Sequence, residues 1–160
     1  MSDTTTAPAA ADAATQAALE RLNSVIDRLI APDGCPWDST QTPESLTEYV
    51  IEECHELVDA IRSGKTADMV EELGDVAFLI LLIGKLMARA GGPSLADALE
   101  VEAAKMVRRH PHVFSDTTYE SQSEQLKDWD RIKREEKAAA DAEGPKGTYD
   151  SLPRGLPPLT

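Results

Sequence analysis

The sequence predicts an all-α fold, a helical bundle of about four to five helices. Apolar residues recur at helical spacing, as in Leu19, Leu22, Ile26 and Leu29. No stretch alternates apolar and polar residues as a half-buried strand would, and there is no internal repeat. Hydrophobic residues make up 41% of the 160 but aromatic residues only 4%. That mixture suits a modest core of Leu, Val, Ile and Ala within one domain.

Taken in order, residues 1–14 are rich in Ala and Thr and are expected to be a disordered tail. The predicted domain covers residues 15–140. A first helix is expected from about Thr15 to Ile30. The stretch "APDGCPWDSTQTPES" then reads as a loop, marked by three prolines and a glycine. Thr42 with Pro43 behind it has the pattern of an N-cap and first helical residue, opening a helix to about Arg62. After the turn "SGKT", Thr66 is expected to cap a third helix to about Ala90. "AGGPS" breaks it, and Ser94 can cap a fourth helix to about Arg109. A last amphipathic helix is expected over about Ser121–Ala140, followed by a Pro/Gly-containing tail or linker over 141–160.

The formal net charge of -13 argues against binding a nucleic-acid polymer or an anionic membrane surface. The N-terminal segment lacks the basic and apolar regions of a signal peptide, and "VAFLILLI" is too short to span a bilayer. Cys35 and Cys54 form no metal-ligand pattern. The expected location is the cytoplasm.

The informative stretch is Val50–Ile80. With steps of about 100° per residue, Leu46, Tyr49, Val50, Glu53, Glu56, Leu57 and Ala60 share one arc of the second helix. Glu48, His55, Asp59 and Arg62 lie opposite, with Glu52 at the margin. On the third helix, Glu72 and Asp75 share an arc with Leu79, Leu82, Ile83 and Leu86. Each helix therefore places two acids, three residues apart, on a stripe that should face a core. Ionised carboxylates gathered there need compensation, and a hard divalent cation with oxygen ligands supplies it. Two antiparallel helices joined by a short turn would bring the pairs face to face, as in metal sites of bundle cores. In so acidic a chain the same spacing also arises by composition on a solvated face. The position on the apolar stripes favours the metal reading.

The blocks "ALERL", "GCPWDSTQT", "SLTEYVIEECHELVDAI", "EELGD", "KMVRRHPHVFSD" and "WDRIKREEK", in this order, resemble the MazG family of nucleoside triphosphate pyrophosphohydrolases. The likeness runs from about Ala18 to Leu159. It implies Mg²⁺-dependent hydrolysis of an NTP or dNTP to the monophosphate and pyrophosphate, with Mn²⁺ as a substitute metal and nucleotide-pool house-cleaning as the role. The family's metal-binding acids match Glu53, Glu56, Glu72 and Asp75. Either Glu53 or Glu52 is the candidate base, Glu53 being favoured by its inner arc. Lys105 and Arg109 match positions that contact the nucleotide's phosphates. Their bland reading is basic residues at a helix C-terminus, favoured by the macrodipole. Trp129 matches a position near the nucleotide, although a lone Trp on an amphipathic helix is more often packing. Tyr49, on the inner arc, is a further candidate substrate contact. His55 reads as a surface residue, and His110 and His112 as residues shaping a helix exit.

Many relatives carry Gln and His on the third helix where this chain has Leu79 and Ile83, which bears on base recognition. Longer family members hold two tandem copies, and "LPRGLPPLT" resembles the linker between them. Ile51, Cys54, Val58 and Ile61 form a second apolar strip, and the third helix is apolar almost all round from Val76 to Ile83. Family members form dimers, so the active site, expected between the two antiparallel helices, is expected to be completed in a homodimer. The competing readings are a narrow dUTPase- or dCTPase-like hydrolase and a non-catalytic helical nucleotide-binding or interaction module.

Overall fold

The computed structural model describes residues 6–141, with the side chains of residues 11–139. Among them are six α-helices and one 3-10 turn: α1 (Thr6–Leu29), the turn at Asp38–Thr40, α2 (Thr47–Ser63), α3 (Thr66–Arg89), α4 (Leu95–Arg109), α5 (Pro111–Phe114) and α6 (Gln122–Asp141). There is no strand among the described residues, as the sequence predicts. The chain divides into two compact units, Met1–Ala98 and Leu99–Thr160, and α4 runs from the first into the second.

In the first unit, α2 and α3 are joined by Gly64 and Lys65 alone and pack along each other. Gly64 takes the left-handed conformation at φ 71° and returns its N–H to the carbonyl of Ile61, a C-terminal stop for which glycine carries no Cβ penalty. Leu46 and Val50, at the start of α2, pack with Leu79, Leu82 and Leu86, towards the end of α3. The pair is therefore an antiparallel hairpin. Ile26 of α1 joins this cluster, flanked by Leu22 and Ile30. Ile26, Leu46 and Leu82 are fully buried.

The loop from α1 to α2 is tied down by backbone contacts. Cys35 donates its N–H to the carbonyl of Leu29, and Gly34 to that of Ala31. A Cβ on Gly34 would lie 2.3 Å from the carbonyl oxygen of Leu29 and 2.4 Å from that of Arg28, so only glycine fits. Arg89, in the last turn of α3, donates Nη1 to the Ile30 carbonyl and Nη2 to the Ser39 carbonyl, each at 3.1 Å. Lys85 pairs with Asp27 at 2.6 Å, a second tie between α3 and α1. A Cβ on Gly84 would lie 2.7 Å from the Leu95 Cβ, so this glycine lets the start of α4 close on α3.

Several boundaries differ from expectation. Helix α1 begins at Thr6 rather than Thr15. Residues 6–14, expected to be disordered, are helical, consistent with the high helix propensity of their alanines. Residues 1–5, and the expected tail from 142 onwards, lie outside the described residues. Helix α2 starts at Thr47 rather than Pro43, after a separate turn over 43–46 that Thr42 caps: Thr42 Oγ1 accepts from the Ser45 N–H and Ser45 Oγ from the Thr42 N–H. Lys65, not Thr66, precedes α3 and makes no side-chain cap. Ser94 does cap α4: its Oγ accepts from the Asp97 N–H, and the Asp97 carboxylate accepts from the Ser94 N–H at 2.7 Å. This reciprocal arrangement is a capping box, and its bonds from Ser94 hold the Asp97 carboxyl below its usual range. The short helix α5 was not expected. It begins where Pro111 supplies a fixed φ and needs no N–H partner.

Two substitutions test this packing. Leu82→Ala is expected to cost about 2–5 kcal/mol, the range for emptying a well-packed leucine site. Gly34→Ala is expected to cost about 1–3 kcal/mol, because the added methyl meets backbone that cannot move aside. Urea denaturation monitored by circular dichroism measures both.

Candidate metal centre

The hairpin brings three of the sequence-predicted acids together. Glu53 and Glu56 project from α2 and Glu72 from α3, and one carboxylate oxygen from each lies within 4.8 Å of the others. The spacing of three on α2 aims its two acids to one side, and the antiparallel turn carries Glu72 opposite them. This group lies along the hairpin between the leucine cluster and the buried Ala60 near the turn. Glu53 and Glu72 are half-buried, while Glu56 and Asp75 are exposed. The acids thus occupy a half-open stretch of the apolar stripe rather than an enclosed core.

Asp75 is not one of the close trio, yet its charge acts on it. Partial burial is the first cause that pushes the Glu53 carboxyl above its ordinary range, followed by the charges of Asp75, Glu56 and Glu52. Glu72 is raised in the same sense, by loss of solvent first and then by Glu56, Glu71, Asp75 and Glu53. No cation among the described residues pairs with Glu53, Glu56 or Glu72, although ten ion pairs form elsewhere. An all-oxygen donor set fits a hard divalent cation. Two oxygens on opposite sides of Mg²⁺ are about 4.2 Å apart at its usual bond length, so modest side-chain rotation suffices to draw the trio in.

Other predicted residues are placed as follows. Glu52 is exposed. Tyr49 meets Trp37 edge to face, with ring centres 5.6 Å apart, so the "GCPWD" loop contributes an aromatic wall beside the start of α2. Leu79 is buried and Ile83 half-buried in the core cluster, which leaves neither free to make a polar contact. Lys105, Arg109 and Trp129 belong to the second unit. There Lys105 pairs with Glu102, Arg109 pairs with Glu136 at 2.7 Å, and the Arg109 guanidinium lies 5.8 Å from the Trp129 ring centre. His110 binds the Met106 carbonyl through Nδ1 at 2.6 Å, consistent with a role in shaping the end of α4. His55 is exposed.

Residues 41–114 match the MazG nucleotide pyrophosphohydrolase domain. The protein YabN of Bacillus subtilis is 42% identical over 137 residues, which is 86% of this chain and 27% of that protein. The nucleoside triphosphate pyrophosphohydrolase of Escherichia coli K12 is 37% identical over 142 residues, 88% of this chain and 53% of that one. The crystal structure of a mazG-related protein from Thermotoga maritima aligns with a TM-score of 0.62 at 30% identity, covering 72% of this chain and 98% of that chain.

The chain belongs to the MazG family.

It spans about half the length, or less, of these two curated relatives. The match to the MazG domain contains the whole acidic group of Glu53, Glu56, Glu72 and Asp75. It also contains Lys105 and Arg109, whereas Trp129 and Glu136 lie beyond it. Among the described residues, no helix is long and apolar enough to cross a membrane.

The repulsion within the acidic trio has a measurable sign. Carboxyls raised in the folded state bind protons that the unfolded chain has already released. Stability should therefore fall as pH rises from the ordinary glutamate range through the raised values of Glu53 and Glu72. Metal-free Glu53→Gln should then melt higher than the parent at pH 7.5, with the gain fading near pH 4. Thermal melts at the two pH values check this. Equal melting temperatures at pH 7.5 would contradict the crowding.

Proposed function

We propose that this MazG chain is a Mg²⁺-dependent nucleoside triphosphate pyrophosphohydrolase, releasing a nucleoside monophosphate and pyrophosphate. The observation that carries the reading is the trio of Glu53, Glu56 and Glu72, two of them with raised carboxyls, within a MazG domain. Relatives bearing that activity in their names support it.

Glu53, Glu56 and Glu72 would hold the metal, with Asp75 as a fourth ligand or as a holder of metal-bound water. Mg²⁺, when bound there, neutralises the triphosphate and lowers the pKa of the attacking water. Glu53 has a second carboxylate oxygen to receive the water's proton. Water oxygen bonds to the α-phosphorus, the α–β bridging bond breaks, and pyrophosphate leaves. Glu52 is the alternative proton acceptor. Lys105 and Arg109 are read as contacts to the phosphates, Trp129 as a contact to the base, and Tyr49 as a further substrate contact. With Leu79 and Ile83 apolar and packed, α3 lacks polar base-reading groups at those positions, which favours broad base tolerance and a house-cleaning role.

We further propose a homodimer in the cytoplasm. Ile51, Val58 and Ile61 of α2, with Leu73 and Ile80 of α3, are all at least 42% exposed. A second copy laid against these helices would remove that apolar surface from water.

Product analysis with a panel of NTPs and dNTPs plus Mg²⁺ should give monophosphate and pyrophosphate. Diphosphate and phosphate would reject the assignment. Glu53→Gln should lower kcat by roughly 10²–10⁴-fold, the scale of a lost general base. Glu52→Gln should lower it far less if Glu53 is the base. Light scattering at low micromolar concentration should show a dimer; a stable folded monomer would contradict that part of the proposal.

A further inference from the structure

Acids again lie on a stripe where apolar residues are expected. The half-buried positions of α6 are Gln125, Asp128, Trp129, Ile132 and Glu136, in helical steps of three and four. Glu136 divides its carboxylate between two arginines of α4. Its Oε1 accepts from Arg108 Nε at 2.9 Å and pairs with Arg108 Nη2 at 2.7 Å. Its Oε2 accepts from Arg109 Nε at 2.9 Å and Nη2 at 2.7 Å. The hydrogen bond from Arg109 is the chief reason the Glu136 carboxyl stays below its ordinary range. Arg109 also lies over the Trp129 ring at 5.8 Å, within cation–π reach, and His110 meets the same ring edge to face at 4.8 Å.

A guanidinium can offer an oxyanion two parallel N–H groups along either of two edges, Nε with Nη2 or Nη1 with Nη2. Glu136 occupies the first edge of Arg109. Among the described residues, Arg109 Nη1 donates to no acceptor, and the Arg109 side chain keeps 20% of its surface exposed. The charge balance also matters. Two guanidinium groups share one carboxylate, so Arg108, Arg109 and Glu136 together keep a unit positive charge that a simple Arg–Glu pair would cancel.

We propose that Glu136 is the positioning residue for Arg109, holding its guanidinium against Trp129 with the Nη1–Nη2 edge presented to a phosphate oxygen of the nucleotide. Arg108 is the second cation that lets Glu136 orient Arg109 without neutralising it. This rests on the reading of Arg109 as a triphosphate contact. A purely structural tie between α4 and α6 would also explain the ion pairs, and the two accounts differ in what a double-mutant cycle reports.

The test measures binding of a non-hydrolysable NTP analogue with Mg²⁺ by calorimetry, together with steady-state turnover. The proteins are the parent, Glu136→Gln, Arg109→Ala and the double variant. Glu136→Gln should weaken analogue binding and raise KM by about tenfold, the scale of one charge-assisted hydrogen bond, with kcat changed less than about twofold. In the Arg109→Ala background the same change should have no further effect. An equal loss in both backgrounds, or kcat falling as far as kcat/KM, would overturn the proposal. Should Glu136→Gln fail to fold by circular dichroism, Arg109→Lys decides. Lysine keeps the charge but offers no fork, so parental affinity in that variant overturns the proposal and a loss of about tenfold supports it. A parent that binds the analogue but turns over no nucleotide refutes the hydrolase reading, and the binding cycle still judges Glu136. A parent that binds no triphosphate refutes both.

Discussion

The crowding of Glu53, Glu56 and Glu72 is the constraint around which the first unit is arranged. Three carboxylates within 4.8 Å repel one another, and no neighbouring cation offsets them among the described residues. The hairpin that holds them is closed by Gly64 at one end and gripped by leucines at the other. Packing at Leu46, Leu79, Leu82 and Leu86 thus keeps together what electrostatics alone would separate. Such strain is a reasonable state for a protein whose ligand brings positive charge to the same place.

The same logic separates the two kinds of acid on α2. Glu48, Glu52 and Asp59 are exposed and free to be hydrated. Glu53 differs because the hairpin has removed part of its water while surrounding it with like charge. Basic residues near the acids in sequence do not relieve this: Arg62 pairs with Asp59, and Lys65 with Asp68. The available local cations are thus directed to the outer face and to the turn.

Much of this was legible in the residue pattern, because helical periodicity reports faces directly. The arcs of α2 and α3 identified Glu53, Glu56 and Glu72, and the antiparallel turn followed from the short connection "SGKT". Boundaries were less legible. Thr42 caps a turn over 43–46 that stops short of α2, and periodicity does not register that break. Glu136 was missed although it carries the same signal as Glu53, an acid on a half-buried stripe. Its two arginines lie on another helix, and pairing of that kind is set by tertiary packing. The tie from Trp37 to Tyr49 was missed for the same reason.

Arg89 has a consequence for how the first unit opens. Placed in the last turn of α3, its charge favours the negative end of that helix. Its hydrogen bonds, however, go to the Ile30 carbonyl just past α1 and to the Ser39 carbonyl in the 3-10 turn. One guanidinium therefore serves as counter-charge for its own helix and as the outside cap of another. Fraying at the end of α3 withdraws the cap from α1 and loosens the turn with it. These three segments, far apart in sequence, should open as one cooperative foldon rather than as three independent ends.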